Sequence, residues 1–338
     1  MFDITEKTIA FIGQKAIPKN FPGTSGIESY VENRMLCLVK KRKKIYSYGR
    51  KWATQDQKKE YKGIHIITIF TINTKYLDTL SYSFFASIHA SLSDATLVWY
   101  QGMGPAIFSI IPRIFGKKIY TTIHSLDWNR KKWSFWGRIF LLISEKITIL
   151  ISDKIFVVSL SLKEYYENKF AITPILDKIN TSSKRKVPIR IIANKYNLQK
   201  NKYVLYLGRF VPEKRIEWLI RAMEHCKKYS LVLAGGSSHS DDYVEYLKSL
   251  SRNKLIIYTG YVFGKEKAEL ISNCKLFVLP SNLEGYPVAV TEAIGYGKKC
   301  LVGDFLKSEY PSSDKKINFF DVNNYENFLS EFTRLIKN

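Results

Sequence analysis

The chain alternates short apolar runs with longer amphipathic stretches, and this alternation limits the fold more than any other feature. Runs long enough for one buried strand are followed again and again by stretches with helical periodicity. Such a pattern is typical of a parallel sheet whose strands are joined by helices. The predicted strands of the first half are TIAFIG (8–13), IHIITIF (64–70), ATLVWY (95–100), KKIYTTIH (117–124) and DKIFVVS (153–159).

The pattern stops in one place and then starts again. The tract ITPILDKINTSSKRKVP (172–188) is the most loop-like part of the sequence. After IRIIAN (189–194) the apolar runs YVLYLG, YSLVLAGG, KLIIYTG and LFVLPS follow, separated by helix-like stretches. A chain of 338 residues is long for one core. We therefore predict two doubly wound α/β domains, residues 1–196 and 197–338, with 322–338 as a helix free to pack back on the first domain.

Cysteine usage and hydropathy bear on the compartment. The four cysteines are scattered without metal-binding spacing, so the simplest interpretation is free thiols in a reducing compartment. The N-terminus MFDITEKTIAFIG has acidic residues where a signal peptide needs basic ones. The run IFLLISEKITILI (139–151) is shorter than the roughly 18–20 residues that a membrane span requires. We expect a cytoplasmic protein without a membrane-spanning helix.

Positive charge is concentrated in the first half of the chain. Residues 1–200 carry 33 basic and 14 acidic side chains, whereas residues 201–338 carry 20 and 16. The first half is therefore expected to face an anionic partner, which could be nucleic acid, a lipid headgroup surface or a phosphorylated substrate. Composition does not choose among these three.

Two glutamates flank a predicted turn near the end of the second half. In SNLEGYPVAVTEAIGYG (281–297), Glu284 follows the apolar run CKLFVLP, and Pro287 suits the first position of a helix that contains Glu292. The carboxyl ends of parallel strands, and the helix N-termini beside them, are where open α/β sheets bind ligands. This loop is therefore a candidate ligand site.

Four sequence elements together resemble those of the family 4 glycosyltransferases. They are EGYPVAVTE (284–292), GRFVPEKRIEWLIRAM (208–223), IHSLDW (123–128) and GTSGIESYVE (23–32). The resemblance covers nearly the whole chain and points to the branch that builds bacterial surface polysaccharides, including capsule, exopolysaccharide and O-antigen. It implies the GT-B fold, in which two Rossmann-like domains face each other. It also implies transfer of a hexosyl or deoxyhexosyl group with retention of configuration, from a nucleoside-diphosphate sugar to a glycan or lipid-linked acceptor.

The resemblance assigns the donor site to the second domain. Arg209 and Lys214 would bind the diphosphate, where cationic donors meet the charge that develops as the glycosidic bond breaks. Glu292 would bind the ribose and Glu284 the transferred sugar, since carboxylates accept two hydrogen bonds from a diol. The turn at Gly285 would supply backbone N–H groups to the phosphate.

On the first domain, the resemblance assigns His124 to the transferred sugar. The catalytic set is then His124, Glu284, Arg209 and Lys214. Gly23 and Gly26 form a glycine loop, in which the backbone can approach a ligand closely. No cofactor is expected beyond the sugar nucleotide as co-substrate. No metal is expected either, because the Asp-x-Asp motif of metal-dependent glycosyltransferases is absent from the sequence.

The sequence departs from the family pattern at several positions. Ser125 stands where glycine often follows the histidine, and Ser25 stands where the first loop often has a second glycine. Arg215 takes the place of the glycine that usually follows the lysine. Lys298 and Lys299 replace a common x-Pro before the next strand. These changes bear on the acceptor contacts and on His124 more than on the diphosphate site.

The family places the acceptor on the first domain, which carries the excess positive charge. We therefore expect peripheral binding to the anionic cytoplasmic face of the membrane, where a lipid-diphosphate-linked acceptor is presented. The segment DWNRKKWSFWGR (127–138) interleaves three tryptophans with basic residues, as membrane interfaces do. A packed loop with solvated charges is the alternative interpretation of this segment.

Two other functions are alternatives to glycosyl transfer. A nucleotide-sugar epimerase of the same fold would need acid and base residues that the sequence does not identify. A nucleic-acid-binding protein would account for the charge, but no such motif is present and the charge is confined to one half. We therefore expect no nucleic-acid partner.

Overall fold

The chain folds into two compact units. The structure, a computed structural model, describes residues 4–19, 26–54, 58–74, 77–129, 133–178, 183–226, 228–237, 240–251, 255–310 and 315–337. The first unit is Met1–Lys178 and the second is Ile179–Asn338. Each contains one predominantly parallel sheet with helical connections. The predicted class of two Rossmann-like α/β domains is confirmed.

The division between the units lies before the predicted boundary at 196/197. Residues that precede this boundary are bound to the second unit by hydrogen bonds. The Val187 N–H donates to Ser272 Oγ at 2.9 Å, and the Arg190 N–H donates to Glu269 Oε2 at 2.9 Å. The last four residues of the segment IRIIAN (189–194) are helical and belong to a short helix, Ile191–Tyr196.

The first unit is built on an eight-stranded sheet. Its strands are β1 Thr8–Ile12, β2 Lys44–Arg50, β3 Glu60–Tyr61, β4 Ile64–Ile69, β5 Leu97–Gln101, β6 Lys118–Ile123, β7 Lys154–Val157 and β8 Ile175–Leu176. Its helices are α1 Gly26–Lys40, α2 Lys51–Thr54, α3 Leu77–Leu92, α4 Met103–Ala106, α5 Ile110–Ile114, α6 Phe135–Ile151 and α7 Leu160–Phe170. The strand order is β3-β4-β2-β1-β5-β6-β7-β8, and only the β3–β4 pair is antiparallel.

Strand β2 was not predicted from the sequence. The pattern of IESYVENRMLCLVKKRKK (27–44) predicts one helix through the basic residues 40–44, but α1 ends at Lys40. Residues Lys44–Arg50 then form a strand between β1 and β4. This strand completes the Rossmann strand order. Successive strands are added on one side of β1 up to β4, and from β5 onwards they are added on the other side.

The second unit has a six-stranded, fully parallel sheet. Its strands are β9 Tyr203–Leu207, β10 Ser230–Ala234, β11 Ile256–Gly260, β12 Leu276–Leu279, β13 Cys300–Gly303 and β14 Ile317–Phe320. Its helices are α8 Ile191–Tyr196, α9 Ile216–Ala222, α10 Asp241–Leu250, α11 Gly264–Asn273, α12 Val288–Gly295 and α13 Tyr325–Lys337. The order β11-β10-β9-β12-β13-β14 reverses between β9 and β12.

The C-terminal helix α13 belongs to the core of the second unit. Its apolar side chains Phe328, Phe332, Leu335 and Ile336 are buried there. Phe328 also packs on Phe320 of β14, with ring centroids 4.9 Å apart. The apolar face of α13 is therefore buried in the second unit. The sequence had left open that this helix packs on the first domain.

Within the described residues, no helix has both the length and the hydropathy needed to cross a membrane.

Candidate active site

Two loops of the second unit meet where its strand order reverses. One follows β9 and carries Arg209 and Lys214, and the other follows β12 and carries Glu284 and Gly285. A backbone hydrogen bond joins them, since the Asn282 N–H donates to the Glu213 carbonyl at 3.1 Å. The crevice at such a reversal point is the usual ligand site of an open parallel sheet.

The loop after β9 is held by close backbone contacts. Gly235, at the end of β10, has φ +144°, and a Cβ there would lie 1.8 Å from the Gly208 carbonyl oxygen. Only glycine permits this approach. The Tyr206 hydroxyl donates to the Arg209 carbonyl at 2.7 Å and fixes the start of the loop. Arg209 is therefore placed by the ends of two neighbouring strands.

The Arg209 guanidinium is a half-buried cation without a carboxylate partner among the described residues. Its charge acts on two nearby phenols. Burial raises the pKa of Tyr206 and of Tyr261, and the Arg209 charge opposes the rise in both. A guanidinium in this state can form charge-assisted hydrogen bonds to an anion.

Lys214 and Glu284 form an ion pair across the two loops. The Lys214 ammonium contacts Glu284 Oε1, and the two side chains are 13% and 12% exposed. The same oxygen accepts a hydrogen bond from Ser281 Oγ at 2.7 Å. Lys214 ends a short 3-10 helix, Pro212–Lys214, which brings it towards the second loop. The structure thus brings these two predicted residues together.

Glu292 is paired with a residue that the sequence did not identify. It lies in α12, whose N-cap is Pro287, so the helix begins one residue later than predicted. Lys267 Nζ of α11 is 2.5 Å from Glu292 Oε2, although that oxygen makes no hydrogen bond of acceptable geometry. We take the contact as electrostatic. Lys267 belongs to no motif, and no sequence signal reveals a pairing between two separate helices.

The balance of charge in this site is positive. Lys214 neutralises Glu284 and Lys267 neutralises Glu292, while Arg209 has no carboxylate partner in the part of the chain that the structure describes. Near Glu284, the Gly285 N–H makes no hydrogen bond with any described residue. The site can therefore offer a guanidinium and a backbone donor to an anion, with two carboxylates beside them for hydroxyl groups.

Arg215 has the backbone conformation that explains why the family usually has glycine at this position. Its backbone has φ +46°, a left-handed conformation that costs a residue with a Cβ roughly 1–2 kcal/mol. Two contacts offset this cost. The guanidinium donates to the Val322 carbonyl and lies over the Trp218 ring, 4.8 Å from its centroid.

In the first unit, His124 follows β6 directly. Its Nε2 is 3.0 Å from Gln101 Oε1 at the end of β5, and its ring meets Tyr30 edge-on at 5.1 Å. Burial lowers the pKa of His124 to about 4, so the imidazole is neutral near pH 7. The Gln101 side-chain nitrogen is buried and has no hydrogen-bond partner among the described residues. These groups suit a neutral, hydroxyl-bearing ligand.

A buried ionic cluster supports His124, and the sequence did not predict it. The Tyr30 hydroxyl is 2.5 Å from Asp177 Oδ2, and Arg34 forms an ion pair with the same carboxylate. Burial, and then the Asp177 charge, raise the pKa of Tyr30 well above its usual range. Two residues of α1 are thus tied to the end of β8 beside the histidine.

The predicted glycine loop is only partly described. Gly26 is the first residue of α1, whereas Gly23 lies outside the described residues. The loop that follows β1 is instead held by carboxylates of α1. Glu28 accepts from the Lys15 N–H and Glu32 from the Lys19 N–H, both at 3.0 Å.

Ser125 donates to Asp127 Oδ1 at 2.9 Å, beside His124. Arg130, Lys131 and Lys132 of the predicted membrane segment lie outside the described residues.

The four cysteines, all within the described residues, lie outside any disulfide, and three of them are buried. In the described part of the chain, no three His, Cys, Asp or Glu side chains are grouped in a way that could hold a metal ion. Metal independence remains a prediction.

Comparison with known proteins identifies the second unit. The family described as glycosyl transferases group 1 matches residues 189–338. The chain carries a group 1 glycosyltransferase domain. All five residues of the candidate donor site, Arg209, Lys214, Glu284, Gly285 and Glu292, lie within the matched range. The predicted family, and with it the predicted enzyme class, are confirmed for this part of the chain.

Two relatives of the chain are sugar transferases by name. O-antigen chain mannosyltransferase B of Escherichia coli is 32% identical over 112 residues, which are 31% of this chain and 29% of that protein. The N,N'-diacetylbacillosaminyl-diphospho-undecaprenol alpha-1,3-N-acetylgalactosaminyltransferase of Campylobacter jejuni is 30% identical over 163 residues, or 45% and 40% of the two chains. The matches therefore span less than half of either relative.

A solved structure resembles both units. Anabaena Alr3699/HepE, crystallised with UDP and glucose, superposes with a TM-score of 0.79 at 13% identity, over 98% of this chain and 90% of that one. At this identity the likeness concerns the fold alone.

Proposed function

We propose that this chain is a retaining glycosyltransferase of surface-polysaccharide assembly. It transfers a hexosyl or deoxyhexosyl group from a nucleoside-diphosphate sugar to a glycan or lipid-diphosphate-linked acceptor. The observation that carries the proposal is the Arg209 cation, which has no carboxylate partner among the described residues and lies near the Lys214–Glu284 ion pair, at the strand-order reversal of the second sheet.

The charge at this reversal point fits a diphosphate. A leaving nucleoside diphosphate gains negative charge as the glycosidic bond breaks, and preorganised cations stabilise that charge most where water is scarce. Arg209 binds the diphosphate in this proposal. Lys214 is within reach of both Glu284 and a ligand, so it exchanges part of its contact with the carboxylate for a phosphate oxygen.

The carboxylates serve the hydroxyl groups of the donor. Glu292 lies in α12, past the diphosphate loop, and binds the ribose diol, whereas Glu284 binds the transferred sugar. Because Glu284 already shares its charge with Lys214 and Ser281, it is poorly suited to act as a covalent nucleophile. Retention is therefore proposed to follow a front-face route, in which the leaving phosphate helps to deprotonate the acceptor.

The acceptor is proposed from the relatives and from charge. One relative is named for an O-antigen chain and the other for a diphospho-undecaprenol acceptor. Residues 1–200, with 33 basic against 14 acidic side chains, suit the anionic surface on which such a lipid is presented. The chain then works as a peripheral enzyme on the cytoplasmic face of the membrane. Sugar, base and linkage depend on pocket contacts that the family leaves open.

The test is a calorimetric titration of the purified protein with UDP, GDP, dTDP and CMP, without divalent metal. One nucleoside diphosphate should bind, and Arg209→Ala should weaken it about 100-fold, because two charge-assisted hydrogen bonds are lost. The matched control is Arg221→Ala, which removes an arginine exposed at the end of α9.

Equal affinity in Arg209→Ala and wild type would remove Arg209 from the diphosphate site. Binding that appears only when a divalent metal is added would overturn the proposed metal independence. Binding of none of the four nucleotides would contradict the donor class itself.

A further inference from the structure

Helix α6 buries several polar side chains and exposes several large apolar ones, which is unusual for a helix that faces water. Its buried residues are Leu141, Ser144, Glu145 and Thr148. Its exposed side includes large apolar side chains, with Trp136 76% and Leu150 80% exposed. A surface helix of a water-soluble domain normally turns its apolar stripe inward and its polar face outward. Here two hydroxyls and a carboxylate are buried beside Leu141, and several large apolar side chains are exposed.

Helix α3 repeats the arrangement. Its buried residues other than Tyr82 are small: Ser83, Ala86, Ser87, Ala90 and Ser91. Their hydroxyls are largely used inside the helix, since Ser87 Oγ donates to the Ser83 carbonyl and Ser91 Oγ to the Ser87 carbonyl, both at 2.7 Å. The bulky residues Phe84 and Phe85 are exposed instead. Small residues inside let the helix pack closely on the sheet, so the large ones remain outside.

These two helices lie on the same side of the sheet. The connections from β4 to β5, β5 to β6 and β6 to β7 all run the same way across the sheet, so right-handed crossovers place α3, α5 and α6 on one side. The short 3-10 helix Ile107–Ser109 and α5 lie between the other two. Phe84 of α3 meets Phe108 with ring centroids 5.6 Å apart, and Ile114 of α5 is 78% exposed.

We infer that this surface inserts into an anionic lipid bilayer. We name it the apolar face and define it by six exposed residues: Phe85, Ile114, Phe115, Trp136, Ile143 and Leu150. An exposed patch of several large side chains on neighbouring helices marks an interaction site. Helices that lie in the plane of the membrane bury such residues at the boundary between headgroups and acyl chains.

The charges around the apolar face select a bilayer over a second copy of the chain. The acidic residues of α3 and α6 are withdrawn, since Asp78 is paired with Arg50 and Glu145 is buried. Arg138 and Lys146 of α6 are exposed. Two copies placed face to face would bring these cations together, whereas lipid phosphates would neutralise them.

The apolar face also changes the account of the tryptophan segment. Of its three indoles, only Trp136 is largely exposed, whereas Trp128 and Trp133 are partly buried. Trp128 packs near Tyr165, with ring centroids 6.3 Å apart. The contact with lipid is thus assigned to the helix layer and Trp136 more than to the basic loop. The apolar face sharpens the membrane partner of the proposed function, but the residues that carry it are distinct from the donor site.

The test is flotation of the full chain with vesicles of phosphatidylcholine alone and of phosphatidylcholine mixed with phosphatidylglycerol. The wild type should bind the mixed vesicles, and part of the binding should persist in high salt because it is apolar. Ile114→Ser/Trp136→Ser/Leu150→Ser should lower the partition coefficient about 100-fold or more, since each buried large side chain contributes roughly tenfold. The matched control, Ile191→Ser/Tyr246→Ser, removes exposed apolar residues of the second unit and should bind as wild type does.

A second readout places the face at lipid depth. Lipids brominated on their acyl chains should quench part of the tryptophan fluorescence, and Trp136→Phe should remove that part. Unchanged flotation of the triple variant would overturn the inference. So would a wild-type dimer in sedimentation equilibrium that the triple variant abolishes, combined with no vesicle binding. Nucleotide titration of the triple variant should match wild type, so failure of the apolar face and failure of the donor site are distinguishable.

Discussion

The two sheets reverse their strand order in the same way but present different chemistry where they do so. In the first unit, the reversal lies between β1 and β5, and the polar groups nearby are the uncharged Gln101 and His124. In the second unit it lies between β9 and β12, and the loops carry Arg209 and two Lys–Glu ion pairs. Strand order determines where a crevice can form, and the side chains determine which ligand it can hold.

The ionic groups of the first unit serve a different purpose from those of the second. Arg34 and Asp177 are 14% and 7% exposed, and Tyr30 also binds the carboxylate. The charges of Arg34 and Asp177 therefore neutralise each other inside the unit. In the second unit, Arg209 has no carboxylate partner among the described residues and is available to a ligand. The comparison predicts that charge changes near β9 and β12 alter ligand binding, whereas changes near β6 alter stability and its dependence on pH.

The largest effect is expected from the ion pair that joins the two loops. Lys214→Ala should lower turnover about 1,000-fold, because it removes a cation at the position where transition-state charge develops. It should also reduce the free energy of unfolding by about 2 kcal/mol, since Glu284 is 12% exposed and loses its partner. Turnover and urea unfolding measure the two effects separately.

The double variant Lys214→Met/Glu284→Gln separates stability from function. With both charges removed, the unfolding free energy should return close to that of wild type, while turnover stays low. Recovery of turnover together with stability would mean that the pair only holds the loops in place.

The second effect concerns the half-buried histidine of the first unit. His124 has a pKa of about 4 in the folded chain against 6.5 when unperturbed. Its neutral form therefore contributes stability that is fully present above pH 6.5 and is lost as the pH falls towards 4. From these two pKa values, titration of His124 should lower the free energy of unfolding by about 2 kcal/mol between pH 8 and pH 5.

Urea unfolding at pH 8 and pH 5 checks this, with His124→Gln as the variant that cannot titrate. The fall in unfolding free energy should be about 2 kcal/mol smaller in the variant than in wild type. An equal fall in both would show that His124 titrates normally in the folded chain.

The predictable part of this molecule was the part encoded by local pattern. The apolar runs near residues 8–13, 95–100 and 117–124 became β1, β5 and β6, because fully buried parallel strands need nearly continuous hydrophobic sequence. Strand β2 was missed, since its sequence KIYSYGR is polar and joins a basic helix end. Its place between β1 and β4 is set by pairing with distant strands, which no local window contains.

The residues of the candidate site likewise fall into those predicted from local motifs and those revealed only by the tertiary structure. Arg209, Lys214, Glu284 and Glu292 were found because each belongs to a motif of short spacing. Lys267 was not, since it meets Glu292 only when α11 and α12 pack side by side. The Arg34–Asp177 pair likewise joins the beginning and the end of the first unit. Motifs predicted the candidate ligand-binding groups, and tertiary structure supplied the counter-charges of the two glutamates.

The third effect tests the ribose contact. Glu292→Gln should weaken binding of the nucleoside diphosphate about tenfold, because a neutral amide accepts hydrogen bonds from a diol less strongly than a carboxylate does. The loss should be much smaller for the 2'-deoxy analogue, which offers one hydroxyl instead of two. Calorimetry with both ligands on both proteins completes the cycle. An equal loss for the two ligands would place Glu292 away from the ribose.

The smallest effect compares one left-handed residue from each unit. Ala171 ends α7 with φ +52° and is exposed, so Ala171→Gly should raise the unfolding free energy by about 1 kcal/mol through relief of backbone strain. Arg215 has φ +46°, but Arg215→Gly also loses the contacts with Val322 and Trp218. The gain and the loss should nearly cancel, so urea unfolding should show little change. Stabilisation by Arg215→Gly as large as that by Ala171→Gly would mean that those contacts contribute nothing, and that the departure from the family's glycine is tolerated rather than compensated.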